Sequence, residues 1–232
     1  VYTEDDQEAV TLDVILEDPL IQVQLILSYT IFEDYDVVCR NAKFINHGCR
    51  TAKLNRAMSL SIDLYDDDFE MIQLDGAWSR ERHIVRRKLV GGIQSVSSAR
   101  GASSMDHNPF IALKRPWATE QSGEVYGFCL IYSGNILAQV EVDRYETARV
   151  MMGINPFEFS WILETGEEFQ TPEGVMVYSC EGLNGMSQNF HSLFTKRLVR
   201  GPGGGKERPI RLNHWGGVAG FQKDGTVVFS PG

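Results

Sequence analysis

No run of about 18 apolar residues occurs anywhere in this chain, which removes a membrane-spanning helix from consideration. Its four cysteines, Cys39, Cys49, Cys129 and Cys180, include no C-x-x-C pair, so the close ligand spacing of a zinc ribbon is absent. No asparagine sits in an N-x-[ST] sequon, and the sparse cysteines favour a reducing, cytoplasmic compartment over a secreted disulfide scaffold. Positive charge is also short. Lysine and arginine number 22 against 31 Asp and Glu, a formal net charge of −9, which argues against nucleic acid or an anionic membrane as the main partner. There is no G-x-S-x-G nucleophile elbow and no H-x-x-x-H pair among His47, His83, His107, His191 and His214, so neither an α/β-hydrolase serine nor a zincin is supported. No metal site and no cofactor are expected. What the 232 residues do contain is 43% hydrophobic side chains, too many for disorder and enough for a sizeable core. The chain opens at Val1 without a Met or a signal-like apolar stretch, and reads as the middle of a longer protein.

The dominant period is two. Val10, Leu12, Val14 and Leu16 alternate with polar residues, broken by Ile15, and so do Ile21, Val23, Leu25, Leu27, Tyr29 and Ile31. Met58–Leu64 repeats the pattern, and strand-like runs follow at 125–132, 136–142, 148–153, 157–163 and 175–178. Such alternation sets one face on a core and the other toward water or a partner sheet. Turn signals such as Glu17-Asp18-Pro19, Ser133-Gly134-Asn135 and Asn155-Pro156 separate the runs. Eight or more antiparallel strands with short connections predict an all-β fold, a large sandwich. One segment breaks the period. Over Gly185–Arg200, Met186, Phe190, Leu193, Phe194 and Leu198 recur at three and four, which predicts a single amphipathic helix with Lys196, Arg197 and Arg200 in its last turns and Gly201 after it. The glycine-rich stretch 201–205 ahead of Lys206 fails as a phosphate loop. Arg200 and Glu207 occupy the positions that need Gly and Ser or Thr, and the stretch follows a helix, so it reads as a linker.

Other clusters have plain explanations. Asp66-Asp67-Asp68 with Asp63 and Glu70 lacks the alternate-ligand spacing and central glycine of a calcium loop, and reads as a solvated acidic turn. Arg80, Arg82, Arg86, Arg87 and Lys88 form a basic cluster that reads as a solvated face. Four tryptophans offer flat faces to a pyranose: Trp78, Trp117, Trp161 and Trp215. Trp161 shares a strand-like run with Phe157 and Phe159 and is expected in the core. Trp78 follows Leu74-Asp75-Gly76-Ala77, which reads as a loop whose small residues let the ring stand exposed.

Dense blocks along the chain carry a resemblance. Asp75–Arg82 (DGAWSRER), Arg100–Ser104 (RGASS), His107–Leu113 (HNPFIAL), Gly123–Phe128 (GEVYGF), Tyr132–Asn135 (YSGN), Gly153–Phe157 (GINPF), Phe169–Glu173 (FQTPE), Gly182–Ser187 (GLNGMS) and Glu207–Ile210 (ERPI) resemble the N-terminal region of microbial α-galactosidases of glycoside hydrolase family 36, from about Asp6 to Trp215.

The resemblance implies a large antiparallel β-supersandwich at 1–182, a connecting α-helix at 183–200, and a linker with the start of a catalytic (β/α)8 barrel at 201–215. A tail unlike the family then runs through 216–232. It implies a retaining exo-α-galactosidase acting on raffinose-family α-galactosides. The nucleophile and acid/base aspartates of such enzymes lie on the barrel, and the Lys-Trp-Asp segment of the nucleophile is missing here, so no catalytic residue is assigned and the chain alone is expected to be inactive. Two substrate-binding positions follow by resemblance. Trp78 matches a sandwich tryptophan that reaches the galactose site, and Trp215, in Leu212-Asn213-His214-Trp215, matches a tryptophan on the first barrel strand, with His214 standing where the family usually has Asn. A homo-oligomer is implied for the parent enzyme, and a cut domain with open strand edges is expected to aggregate or oligomerise. The competing expectation is a stand-alone carbohydrate-binding or regulatory sandwich without catalysis.

Overall fold

The computed structural model describes residues 1–201, 206–207, 219–221 and 227–229; Trp215 and residues 202–205 lie outside them. The chain divides into two units, Val1–Leu198 and Val199–Gly232. In the first unit the strands are β1 (Val10–Asp18), β2 (Val23–Phe32), β3 (Val37–Asn46), β4 (Ala52–Leu54), β5 (Met58–Leu64), β6 (Glu70–Ala77), β7 (Arg80–Lys88) and β8 (Gly92–Ser97). They continue as β9 (His107–Lys114), β10 (Val125–Leu130), β11 (Ile136–Val142), β12 (Ala148–Ile154), β13 (Trp161–Leu163), β14 (Glu168–Gln170) and β15 (Gly174–Ser179), and helix α1 (Gly182–Arg197) ends the unit.

A nine-stranded antiparallel sheet runs in the order β1-β2-β3-β15-β10-β9-β6-β7, with β14 paired to β3 off that path. A four-stranded sheet, β5-β12-β11-β8, packs on one face of it. The all-β sandwich expected from the period of two is what forms.

The central strands feed two cores at once. On β10, Phe128 and Leu130 point into the inter-sheet core with Ile111, Leu113, Met71 and Val150, while Val125 points to the opposite face with Ala112, Val175 and Val177. Helix α1 covers that opposite face through Met186, Phe190 and Leu193. It sits directly on Gly127, where any Cβ would meet Phe190 and Met186.

The helix starts three residues before the predicted Gly185 and ends three before Arg200. Its first amides find acceptors on a neighbouring loop: Leu183 N–H donates to Thr119 O (3.1 Å) and Asn184 N–H to Glu120 O (2.9 Å). These groups have no partner within the helix, so tertiary acceptors let it begin early. Of the three predicted end cations only Lys196 and Arg197 lie in the last turn. Arg197 also reaches back to Glu8 and Glu4.

Two further expectations are corrected. The alternating apolar face of β1 does not enter a core: all nine residues are exposed, Leu12 by 61% and Ile15 by 61%. β1 is the edge of the large sheet and, among the described residues, none covers either of its faces, so alternation alone did not decide its burial. Trp161 is not in the core either. Its strand spans three residues, because Glu158 adopts a left-handed φ of 54° and Phe157 N–H turns back to Asn155 Oδ1 (3.0 Å), which breaks the run. Trp161 stays 46% exposed and packs against Phe169, with ring centroids 4.9 Å apart.

In the second unit, β16 (Ala219–Phe221) and β17 (Val227–Phe229) pair antiparallel, Ala219 opposite Phe229.

Candidate functional site: the Trp78 hairpin

β6 and β7 close the large sheet at the edge opposite β1. They form a hairpin in which Ala77 pairs with Arg80, leaving Trp78 and Ser79 as a two-residue turn. Ser79 takes a left-handed φ of 64°, and its N–H donates to Glu81 Oε1 (3.1 Å). Of the two central residues only the second, Ser79, has a positive φ, the pattern of a type II turn. The segment Leu74–Ala77 is therefore strand rather than the predicted loop, and the exposed ring comes from the turn itself. Trp78 is 82% exposed.

Below the tip the ladder is irregular. The β6–β7 register shifts between Asp75 and Ala77, and the β6–β9 register between Gln73 and Asp75. Gly76 lies in the first of these shifts. A Cβ there would lie 2.6 Å from Met105 O and 2.9 Å from Arg82 N, so only glycine lets the 105–106 segment lie flush on the strand. The Gly76 N–H donates to Asp106 O (3.2 Å).

Polar groups tie the hairpin to its neighbour. His107 Nδ1 lies 3.2 Å from Asp75 Oδ1, Gln73 Nε2 donates to Asp75 Oδ2 (2.6 Å), and Arg87 donates to Gln73 Oε1. Asn108 Nδ2 donates to Leu74 O (3.3 Å). The predicted basic cluster falls on β7, where Arg80, Arg82, Arg86 and Lys88 are exposed and Arg87 turns inward. Arg86 reaches Glu120 at 3.7 Å.

The acidic turn has a structural occupation. Asp66 takes a two-point hydrogen bond from Arg115 (2.6 and 3.1 Å), which holds its carboxyl below the usual range. Among the described residues, no group of three or more His, Cys, Asp or Glu side chains could hold a metal ion. All four cysteines are free thiols.

The sequence reading missed one feature. A groove of about 480 Å³ is lined by Tyr132, Phe159, Trp161, Phe169, Thr171 and Pro172, and a second of about 320 Å³ adjoins it across Tyr132 and Phe159. The alternating aromatics at Phe157, Phe159 and Trp161 were the available signal. They mark an open surface rather than a core.

Comparison with known proteins bears on the whole chain. Residues 1–164 match the glycosyl hydrolase family 36 N-terminal domain model, and residues 168–229 match the Melibiase model, a range that runs across 216–229. Alpha-galactosidase AgaA of Geobacillus stearothermophilus is 55% identical over 92% of this chain, and Alpha-galactosidase Mel36A of Lactobacillus acidophilus is 44% identical over the same share. The chain spans 29% of the length of each of these relatives. Crystal structures of variants of the Geobacillus enzyme in complex with stachyose and with raffinose superpose at a TM-score of 0.88, with 56% identity over 90% of this chain and 29% of theirs. The galactosidase domain of the alpha-galactosidase-sucrose kinase AgaSK, 32% identical, gives 0.85 over 89% of this chain and 29% of its own. With model, relatives and superposed structures in agreement, the chain belongs to the glycosyl hydrolase family 36 N-terminal domain family.

Proposed function

We propose that this chain is the non-catalytic sandwich of an α-galactosidase, and that it supplies Trp78 as an aromatic wall for a terminal galactosyl unit. The observation that carries the reading is a large indole standing in solvent on a hairpin whose base is tied to the neighbouring segment by three polar contacts. A flat apolar ring held outside any core suits the apolar face of a pyranose. The relatives' complexes with stachyose and raffinose support raffinose-type oligosaccharides as the substrate class. Trp215 is proposed as a second wall by resemblance alone. The unpaired cysteines support a reducing, cytoplasmic setting. The apolar edge at β1 supports self-association into a homo-oligomer.

Raffinose titrated into the chain should give a saturable change in tryptophan fluorescence, with about fivefold weaker binding in Trp78→Ala, the effect of losing about 1 kcal/mol of stacking. The chain alone should release no galactose from an aryl α-galactoside. Turnover at an enzymatic rate, or a Trp78→Ala variant that binds raffinose as tightly as the parent, overturns the reading.

The stand-alone binding module remains a second reading, favoured by the Tyr132–Trp161 groove. It predicts that Trp161→Ala, rather than Trp78→Ala, abolishes the response.

A further inference from the structure

We propose that the Asp75–His107 pair is a positioning device that fixes the direction in which Trp78 presents its ring; the role rests on the reading of Trp78 as a sugar contact.

The indole makes too little contact with the protein to orient itself, being 82% exposed. Its direction must come from the backbone of the turn. That backbone overhangs: Asp75 and His107 are the last paired positions between β6 and β9, and β9 begins at His107. Beyond Asp75, among the described residues, the β9 side holds the hairpin by one backbone bond, from Gly76 N–H to Asp106 O (3.2 Å).

The last side-chain tie to β9 is built to resist rotation. One Asp75 oxygen faces His107 Nδ1 at 3.2 Å, and the other accepts from Gln73 Nε2 at 2.6 Å. Gln73 is itself held by Arg87, which also donates to Ser95 O at 3.2 Å on the four-stranded sheet. Turning the carboxylate would break bonds on both sides. The pair is also only partly screened, with 36% of the His107 side chain and 29% of the Asp75 side chain exposed. Next to it, the flush contact of Gly76 with Met105 O leaves no slack for the strand to slide. Removing His107 leaves Asp75 held from within its own strand and the Gly76 bond to Asp106 O as a single backbone hinge, about which the tip then pivots.

The experiment uses the full chain labelled with 5-fluorotryptophan, the Trp78 fluorine signal being identified by its loss in Trp78→Phe. His107→Ala should narrow the Trp78 line by about twofold, the mark of faster local motion, while leaving the Trp117 and Trp161 lines and the circular dichroism unchanged. His107→Asn places an amide nitrogen near the position of Nδ1 and should restore most of the width. Asp75→Asn, nearly isosteric, gives a second route should His107→Ala fold poorly, and should narrow the same line. An unchanged Trp78 line in both His107→Ala and Asp75→Asn overturns the proposal. Raffinose titrated into the same samples separates the two readings. Weakened binding in His107→Ala alongside the narrowed line supports both. A narrowed line in a chain whose parent form ignores raffinose supports the positioning and overturns the sugar contact.

Discussion

A Cβ on Gly127 would stand 2.5 Å from Cε2 of Phe190 and 2.6 Å from Sδ of Met186, so helix α1 rests on bare backbone in the middle of β10. Gly127→Ala should therefore cost about 1–3 kcal/mol by overpacking, although alanine has the better strand propensity. Thermal melting of Gly127→Ala checks this. The double variant with Phe190→Leu should recover part of the loss, because one of the two crowding side chains is shortened.

Lys114 is 4% exposed, with its charge held beneath the 115–118 loop. Its Nζ lies 3.0 Å from Glu70 Oε2 and donates to the carbonyls of Arg115, Pro116 and Ala118 at 3.1–3.3 Å. Lys114→Met keeps the stem and removes every donor. A loss of about 2–4 kcal/mol in urea unfolding is expected, with most of it arising from stranded acceptors.

Arg115 gathers a second cluster, joining Asp66 and Glu124 and lying 4.0 Å over the Phe69 ring. Burial pushes the Glu124 carboxyl up, but hydrogen bonds from Tyr126 and Arg115 outweigh it and leave it lowered; the bond from Arg115 lowers Asp66. Both carboxylates thus bind protons less readily folded than unfolded. Their stabilisation is full above the ordinary carboxylate range and is lost as pH falls through the depressed values. Arg115→Met should be less stable than the parent near neutral pH, and the gap should narrow at a pH below the ordinary carboxylate range. Equal gaps at both pH values would refute the assignment.

Burial pushes the Cys129 thiol up to about 12 and raises Cys39 further, whereas Cys49 and Cys180 are exposed. A thiolate-selective reagent at about pH 8 should modify Cys49 and Cys180 rapidly in the folded chain. Cys39 and Cys129 should react only in denaturant, as peptide mapping would show.

The edge strand β1 exposes Val10, Leu12, Ile15 and Leu16 on its two faces beside unpaired backbone. Leu12→Lys with Leu16→Lys should lower the apparent mass in light scattering without changing the melting temperature, because neither residue enters a core.

Alternation in the sequence revealed strands with one wetter face, such as β5, β11 and β12. It failed where a strand is buried on both sides. Ile111, Ala112 and Leu113 on β9 serve two cores and show no period, and Met71 and Ile72 on β6 do the same. β7 was hidden for the opposite reason: as a charged edge it buries almost nothing. The exposure of Trp78 was expected for a different reason, a loop at Leu74–Ala77, whereas that segment is strand and the two-residue turn exposes the ring. The tie beneath it was not legible, because Asp75 and His107 are 32 residues apart and meet only through strand pairing.

No residue from Gly76 to His83 belongs to either hydrophobic core. The hairpin tip and the scaffold are thus separable in evolution. Substitutions at Trp78 or Arg80 redraw what the tip touches at little risk to folding, whereas Ser79 holds a left-handed φ of 64° that suits few other side chains. Specificity could drift here while the sandwich stays fixed, and a thermal melt would not register the change.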